Sequence, residues 1–189
     1  MKKIFWFIED VVWNIRCRYN FWLHGPYGLT KEVEKMPLRF AIKYLRMYGA
    51  TIGENCIIDS GFKIHRPGKT KPFKNLILGN NVYLGHNAIL DLTEKIIIEE
   101  DVAIGANCQL WTHVGDFKNS LRDGNDYSEK TESLLIKEKV ICYSGVLFSP
   151  GVVIGRQARV YAFSMVNKSI PDKEVWGGIP VRFIRKREF

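Results

Sequence analysis

Aliphatic and aromatic residues recur at every sixth position along residues 136–166 of the chain. A small or compact side chain follows four residues after each of the first five recurring positions. The recurring positions are Ile136, Cys142, Phe148, Ile154, Val160 and Val166. A period of six differs from the 3.6 residues of a helix and from the two-residue alternation of an ordinary strand. It is typical of a solenoid, in which each hexad forms one short strand and one corner of a coil.

The same period extends back to residue 52 and falls into five groups of three hexads. Fifteen hexads in groups of three predict a mainly β fold, a parallel β-helix of about five triangular coils over residues 50–170. Glycine follows the recurring residue in several hexads, and we expect tight corners to need its conformational freedom there. These glycines are Gly53, Gly79, Gly85, Gly105 and Gly155.

The hexad register breaks only between groups, at residues 65–77, 91–97 and 111–135. The last break is the longest, and its residues are polar and irregular. Such a stretch in a compact domain is typical of a functional loop, so we expect loop 111–135 to protrude. His113 stands at the base of this loop. A single histidine in a loop is by default solvated, but its place at the start of the long insertion favours a catalytic role.

Residues 1–49 are predicted to form a helical extension. Apolar and aromatic residues follow helical spacing from Ile4, and the sequence of residues 24–28 is predicted to break this helix. A second helix is predicted from about Pro37 to Tyr48. Residues 1–48 contain nine Lys/Arg and four Asp/Glu. Two compatible interpretations remain: a cap over the open end of the solenoid, or an amphipathic surface on an anionic membrane.

Composition limits the number of domains, the kind of partner that the net charge favours and the cellular compartment. The 189 residues fit one domain with an extension, and residues 171–189 are expected to form a C-terminal tail. The net charge of +8 predicts an anionic partner without identifying it. The four cysteines lack metal-site spacing, and three of them, Cys56, Cys108 and Cys142, fall on buried hexad positions, which predicts free thiols and a cytoplasmic setting. The apolar run at residues 4–8 is too short for a membrane span.

Several hexads resemble a known family. Residues 52–57, 84–89 and 104–109 look like the hexapeptide repeats of left-handed β-helix acyltransferases. Residues 150–155 and 160–166, followed by Gly178-Ile179-Pro180-Val181, resemble the last coils of the galactoside/maltose and polysaccharide O-acetyltransferases in order and spacing. The resemblance covers roughly residues 50–187. It implies a left-handed coil and a homotrimer, with acyl-CoA sites in clefts between neighbouring subunits.

The resemblance also implies roles for individual residues. His113 is expected to be the general base, with Asp116 as a candidate to fix its tautomer. Acetyl-CoA is expected as the acyl donor, and no metal is expected. The expected acceptor-binding residues are Asn87, His86, Trp111 and Asp116. The expected cofactor-binding residues are Ser144 and Ala162, lining the pantetheine slot, and Lys168, Arg182, Arg185 and Lys186, near the CoA phosphates. Tyr161 replaces a usual glycine of the family, which alters the expected shape of the slot.

The expected function is transfer of an acetyl group from acetyl-CoA to a sugar hydroxyl, on a surface-polysaccharide or lipid-linked precursor. An alcohol is too weak an acid to ionise at neutral pH, and histidine can accept its proton during attack. Alternatives are an amino sugar, serine or an antibiotic as acceptor, and a non-catalytic trimeric scaffold. A γ-type carbonic anhydrase would instead use His65, His86 and His113 to bind zinc. We expect peripheral contact with the inner face of a membrane through residues 1–48, and no nucleic acid partner.

Overall fold

A computed structural model of the chain describes residues 2–116 and 128–188. Fifteen short strands build a parallel β-helix of five triangular coils, and each coil gives one strand to each of three faces. Face A contains β1 (Thr51–Ile52), β4 (Leu76–Leu78), β7 (Ile96–Ile98), β12 (Leu134–Ile136) and β15 (Val153–Ile154). Face B contains β2 (Ile57–Ile58), β5 (Tyr83–Leu84), β8 (Ala103–Ile104), β13 (Ile141–Cys142) and β16 (Arg159–Val160). Face C contains β3 (Lys63–His65), β6 (Ile89–Asp91), β9 (Gln109–Leu110), β14 (Leu147–Phe148) and β17 (Met165–Val166).

The recurring hexad residues form the core of the prism. On face B, Leu84, Ile104, Cys142 and Val160 lie in register on successive coils and are almost fully buried. Each coil therefore covers the apolar side chains of the next, which is how a solenoid builds a core from short strands. All four cysteines are free thiols; Cys56 is partly exposed and the other three are buried.

The corners form three edges, named here by the faces they join. The AB edge contains residues 53–56, 79–82, 99–102, 137–140 and 155–158. The BC edge contains residues 59–62, 85–88, 105–108, 143–146 and 161–164. The third residue of each of these corners has a positive φ. The AB edge uses Asn55, Asn81, Asp101, Lys139 and Gln157, and the BC edge uses Gly61, Asn87, Asn107, Gly145 and Phe163.

The corner glycines have a different role from the one expected. None of the five glycines that follow a recurring residue has a positive φ. A Cβ on Gly85 would lie 2.7 Å from the backbone nitrogen of Ala106, and one on Gly105 would lie 2.6 Å from that of Ser144. These glycines are therefore needed for close stacking of one coil on the next, while the left-handed turn falls to the third residue.

All three register breaks lie on the remaining edge, the CA edge. Its corners are residues 66–75, 92–95, 111–133 and 149–152. Loop 111–135 is not irregular at its base: β10 (His113–Asp116) pairs with β11 (Ser128–Thr131) as an antiparallel hairpin. The end of the expected loop belongs to β12 of the fourth coil. Residues 117–127 lie outside the described residues.

Two helices cover the first coil. The helix α1 spans Lys2–Lys35 and α2 spans Leu38–Met47. The expected break at residues 24–28 is only a kink, with non-helical angles at Gly25. The helix resumes because Pro26 then occupies a first turn, where a missing N–H costs no hydrogen bond. Leu29 and Val33 of the resumed helix are fully buried against the first coil. Within the described residues, neither helix is long and apolar enough to cross a membrane.

The C-terminal segment is not a simple tail. Ile170 forms a parallel bridge with Ile154 on face A. The strand β18 (Glu174–Gly177) pairs with β16, and β19 (Arg182–Lys186) returns antiparallel to β18. Val175 and Val181 are buried by this hairpin. The hairpin covers the last coil because a solenoid must shield its open end.

Candidate active site

His113 lies on the CA edge, directly after the third coil. It follows face-C strand β9 and begins the hairpin strand β10, where it faces Thr131. Only 12% of its side chain is exposed, and its Nδ1 lies 2.6 Å from Oδ2 of Asp91. The hairpin and this contact hold the imidazole ring at a fixed place on the edge.

Asp91 is the last residue of β6, on the coil before His113, and its side chain is fully buried. Its Oδ2 accepts a hydrogen bond from the Thr112 backbone N–H at 2.8 Å and lies 2.9 Å from the Thr112 hydroxyl. The Thr93 hydroxyl donates to Oδ1 at 2.8 Å. Burial opposes ionisation of Asp91, but hydrogen bonds from His113, Thr112 and Thr93 outweigh it and hold its pKa below the usual value. Asp91 is therefore a carboxylate at neutral pH.

Asp91 forms the hydrogen bond to His113 that the sequence led us to expect from Asp116. The side chain of Asp116 lies outside the described residues, and the partner of the His113 Nδ1 is Asp91. A signal for this existed in the repeat. The residues after the third recurring position of the first three coils are His65, Asp91 and Trp111, so superposing the coils places them together on the CA edge.

The carboxylate of Asp91 determines which nitrogen of His113 carries the proton. A neutral imidazole has one N–H and one lone pair, and the N–H faces the acceptor. Nδ1 therefore donates to Asp91, and Nε2 keeps its lone pair. A substrate hydroxyl that reaches Nε2 would meet a proton acceptor.

Two aromatic side chains enclose the imidazole of His113. The ring of His65 stacks on it at a centroid distance of 5.3 Å and an interplanar angle of 18°. Trp111 lies edge-on to both histidines, with centroid distances of 5.6 Å to His65 and 5.9 Å to His113. Burial is the largest effect on the pKa of His65 and lowers it; His113 and Arg66 lower it further, whereas Asp91 and Glu129 raise it. His65 and Trp111 therefore cover the ring of His113, of which only 12% is exposed.

Glu129 faces the free nitrogen of His113. Its Oε1 lies 3.6 Å from Nε2, beyond hydrogen-bond distance, and the same carboxylate forms an ion pair with Arg66. Arg66 comes from the first CA corner and Glu129 from β11 of the hairpin. The residues around Nε2 therefore come from separate interruptions of the repeat.

His65, Asp91 and His113 also have the composition of a metal site. Their possible ligand atoms lie within 4.8 Å of one another. A zinc ion with bonds of about 2.0–2.2 Å to both His113 and Asp91 would separate Nδ1 from the carboxylate oxygen by ~3.3 Å. The direct 2.6 Å contact is instead that of a hydrogen bond. His86, the third zinc ligand in the carbonic anhydrase alternative, lies on the BC edge beside Asp59 and Ser60.

The structure does not bring every expected site residue to His113. Trp111 is in contact with it, whereas His86 and Asn87 lie on the BC edge of the second coil. Asn87 has φ of 58° and donates from Nδ2 to Asn107 Oδ1 at 3.2 Å. This asparagine therefore has a structural role at its corner, independent of any acceptor.

The expected CoA residues also lie away from His113 within one chain. Ser144 and Ala162 are on the BC edge of the fourth and fifth coils, next to Tyr143 and Tyr161, whose rings contact at 5.9 Å. Lys168 lies over the ring of Trp176 at the end of the prism. The remaining three, Arg182, Arg185 and Lys186, are exposed on β19. Face C thus separates Ser144 and Ala162 from His113.

Comparisons with known proteins agree with this architecture. A family model described as hexapeptide repeat of succinyl-transferase matches residues 95–116. Galactoside O-acetyltransferase of Lactococcus lactis is 32% identical over 84% of this chain and 70% of its own length. The putative colanic acid biosynthesis acetyltransferase WcaF of Escherichia coli is 32% identical over 76% of this chain and 72% of its own length.

A solved structure shares the fold. The hexapeptide-repeat acetyltransferase VCA0836 of Vibrio cholerae, in complex with acetyl coenzyme A, superposes with a TM-score of 0.74. It is 22% identical, and the match covers 87% of this chain and 86% of that one. The fold is therefore the expected left-handed parallel β-helix.

Proposed function

The chain belongs to the hexapeptide-repeat acetyltransferase family, and from this premise we propose that it transfers an acetyl group from acetyl-CoA to a sugar hydroxyl. The observation that carries the proposal is the buried Asp91–His113 pair, which leaves Nε2 of His113 as a proton acceptor on the edge of the prism. The two relatives named above are a galactoside O-acetyltransferase and a putative colanic acid biosynthesis acetyltransferase, which favours a sugar acceptor.

In the proposed reaction, the acceptor hydroxyl attacks the thioester carbonyl of acetyl-CoA. Nε2 of His113 takes the hydroxyl proton as the new C–O bond forms, and returns it to the thiolate when the C–S bond breaks. Asp91 stabilises the imidazolium that exists between these two transfers, since it is a buried carboxylate held by the Thr112 backbone N–H and the Thr93 hydroxyl. General base catalysis of this kind contributes roughly 10²–10⁴ in rate.

The separation of the site over two edges supports a homotrimer. The base lies on the CA edge, whereas Ser144, Ala162 and Asn87 lie on the BC edge. One chain cannot place both edges against the same acetyl group, because face C lies between them. If three prisms pack side by side, the CA edge of one subunit meets the BC edge of its neighbour, and each cleft then contains both sets. Asn87 and the cofactor residues would reach the acceptor and acetyl-CoA from that neighbouring subunit.

The exposed face of α1 supports a peripheral contact with the cytoplasmic side of a membrane. Apolar side chains along one side of this helix are largely exposed: Ile4, Phe5, Phe7, Ile8, Val11, Val12, Ile15, Tyr19 and Trp22. The opposite side packs on α2 and the core through Trp13, Cys17 and Phe21. A continuous exposed apolar stripe of this length is typical of helices that lie in a membrane interface.

Charge on the same helix favours an anionic membrane. The two acidic residues in its first half, Glu9 and Asp10, form ion pairs with Arg39 and Lys43 of α2. The helix also carries exposed cations at Lys2, Lys3 and Arg18, whereas Arg16 forms an ion pair with Glu32. The acidic charge is therefore matched within the protein, and the basic charge adds to the attraction of anionic lipid.

The acyltransfer proposal is tested by measuring CoA release from acetyl-CoA over a panel of free sugars, sugar phosphates and nucleotide sugars. We expect acetylation of at least one sugar and a fall in kcat of about 10²–10⁴ in His113→Ala. Acetyl-CoA binding, measured by calorimetry, should persist in that variant. An activity of His113→Ala within a few-fold of wild type would show that another group is the base.

The membrane contact is tested with the full chain and sedimenting vesicles of pure phosphatidylcholine or with anionic phosphatidylglycerol added. We expect binding to the anionic vesicles and its loss in Ile8→Glu/Ile15→Glu. The matched control is Ile57→Glu/Ile179→Glu, which changes two exposed isoleucines away from α1 and should bind normally. Equal binding by both double variants would refute the contact. A wild-type assembly larger than a trimer that Ile8→Glu/Ile15→Glu dissociates would show that protein covers the face instead.

A further inference from the structure

The first CA corner is unusually basic and adjoins the candidate base. Residues 66–74 contain four Lys/Arg and no acidic residue. Together with residues 92–95 of the next corner, they line a pocket of about 480 Å³. Lys69, Lys74 and Lys95 are exposed in its lining, and none of them forms an ion pair with a residue that the structure describes. Glu94 is the acidic side chain among the lining residues.

This corner is held in a fixed shape. Phe73 is fully buried, and its backbone N–H donates to the carbonyl of Tyr48 at 3.2 Å. The N–H of Gly68 donates to the carbonyl of Pro72 at 2.9 Å, closing the turn between them. Nδ2 of Asn75 donates to the Leu92 carbonyl at 3.0 Å and so joins this corner to the next one. The lysines therefore extend from an ordered frame.

Two lining residues of the pocket, Thr93 and Arg66, connect it to the surroundings of the Asp91–His113 pair. Thr93 lines the pocket, donates its hydroxyl to Asp91, and lies 3.4 Å from Nδ1 of His113. Arg66, another lining residue, holds Glu129 opposite Nε2 of His113. A ligand in the pocket would therefore lie beside residues that flank both ring nitrogens of His113.

The position along the prism separates this pocket from the expected donor residues. Its lining comes from the first two CA corners, on the side of His113 that faces the helical cap. Ser144, Ala162 and the basic residues of β19 belong to coils on the other side of His113. The acetyl donor and the ligand of this pocket would then approach the base from opposite ends.

We propose that this pocket, lined by Lys69, Lys74 and Lys95, binds a phosphate or diphosphate ester carried by the acceptor sugar. Three cations around a cavity next to the base match the charge and oxygen atoms of such a group. The source of the ester can be a sugar phosphate, a nucleotide sugar or a lipid diphosphate sugar, which share this chemistry. The proposal rests on the proposed acyltransfer and names the acceptor class of the same site.

The binding test uses inorganic pyrophosphate in the presence of saturating CoA, so that the donor site is occupied. We expect pyrophosphate to bind the wild-type protein and to bind Lys69→Gln/Lys74→Gln/Lys95→Gln at least about 10-fold more weakly. The control is Lys31→Gln/Lys35→Gln/Lys139→Gln, which removes three exposed charges elsewhere and should bind normally. Equal weakening in both triple variants, or displacement of pyrophosphate by CoA, would overturn the proposal.

The kinetic test compares one hexose as the free sugar, its 1-phosphate, its uridine diphosphate ester and its polyprenyl diphosphate ester. We expect kcat/KM to rise with the phosphate group, and the lysine variant to lose this advantage while it retains its activity on the free sugar. The ester with the highest kcat/KM identifies the source. If phosphate gives no advantage, the subsite is refuted although acyltransfer stands. If no sugar is acetylated but pyrophosphate binding still needs the three lysines, the acyltransfer is refuted although the subsite stands.

Discussion

Each corner on the AB and BC edges has four residues, whereas the CA edge combines four-residue corners (92–95 and 149–152) with longer ones (66–75 and 111–133). A corner on a regular edge contacts the coil before it and the coil after it, so its length, glycine and left-handed residue are fixed by stacking. A longer CA corner leaves the prism and can place individual side chains. His65, Asp91, Thr93, His113 and Glu129 all lie on or beside this edge. The regular edges thus build the prism, and the irregular edge carries the candidate active site.

The largest effect on the irregular edge is expected from Asp91→Asn. The amide cannot carry the negative charge that stabilises the imidazolium, and it can present an N–H to His113 and reverse its tautomer. We expect kcat to fall roughly 10²- to 10⁴-fold with little change in the KM for acetyl-CoA. Steady-state kinetics and a thermal melt check this. A fall in activity that only follows the loss of folded protein would mean that Asp91 has a structural role alone.

On the regular edges, we expect substitutions to lower stability through packing and to leave catalysis unchanged, and Gly85→Ala tests this. Its Cβ would lie 2.7 Å from a backbone nitrogen of the next coil, which cannot move without shifting the stack. We expect the free energy of unfolding to fall by about 1–3 kcal/mol, with kcat per folded molecule unchanged.

The matched change on the CA edge is Gly68→Ala. Its Cβ would meet the Lys71 carbonyl oxygen at 3.0 Å, a contact within its own corner that local movement can relieve. We expect a smaller loss in unfolding free energy than for Gly85→Ala, measured by urea denaturation of both variants. Equal losses would show that the CA edge is as tightly constrained as the others.

A smaller effect is expected in the pH dependence of the unfolding free energy, and it arises from the carboxylate of Asp91. The pKa of Asp91 in the folded protein is below its usual value, so its ionisation favours the folded state. This contribution is fully present above the unfolded pKa of about 3.9 and is lost as pH falls through the folded pKa. The difference in unfolding free energy between wild type and Asp91→Asn should therefore be constant near neutral pH and shrink in acid. A difference that does not change down to strongly acidic pH would contradict the role of these hydrogen bonds.

The contrast between edges also explains what could be predicted from the sequence. The hexad period predicted the coils and the burial of Cys142, because each recurring side chain points inward whatever its neighbours do. His113 was identified as a candidate site residue because it lies at the start of the longest break in the hexad register. Asp91 was missed because a partner was sought nearby in the chain, in Asp116, whereas on this edge the neighbours of a residue lie one coil away. The left-handed corner residues were also missed, since the tight turn was expected at the glycine that follows a recurring residue, whereas the positive φ lies at the third corner residue, such as Asn55, Lys139 or Gln157.

The smallest effect is expected at Asn87, and it separates a structural role from acceptor binding. Asn87 on the BC edge and Asn81 on the AB edge of the same coil have φ of 58° and 57°, and each donates from Nδ2 to the corner of the next coil. If both asparagines only stabilise left-handed corners, Asn87→Ala and Asn81→Ala should each lower the unfolding free energy by about 1 kcal/mol, with unchanged kinetics. If Asn87 also reaches the acceptor of a neighbouring subunit, Asn87→Ala alone should raise the acceptor KM. Parallel denaturation and kinetics on the two variants decide this, because the matched corner removes the cost of the turn from the comparison. A raised KM in both variants would show that distortion of the prism, rather than acceptor contact, is being measured.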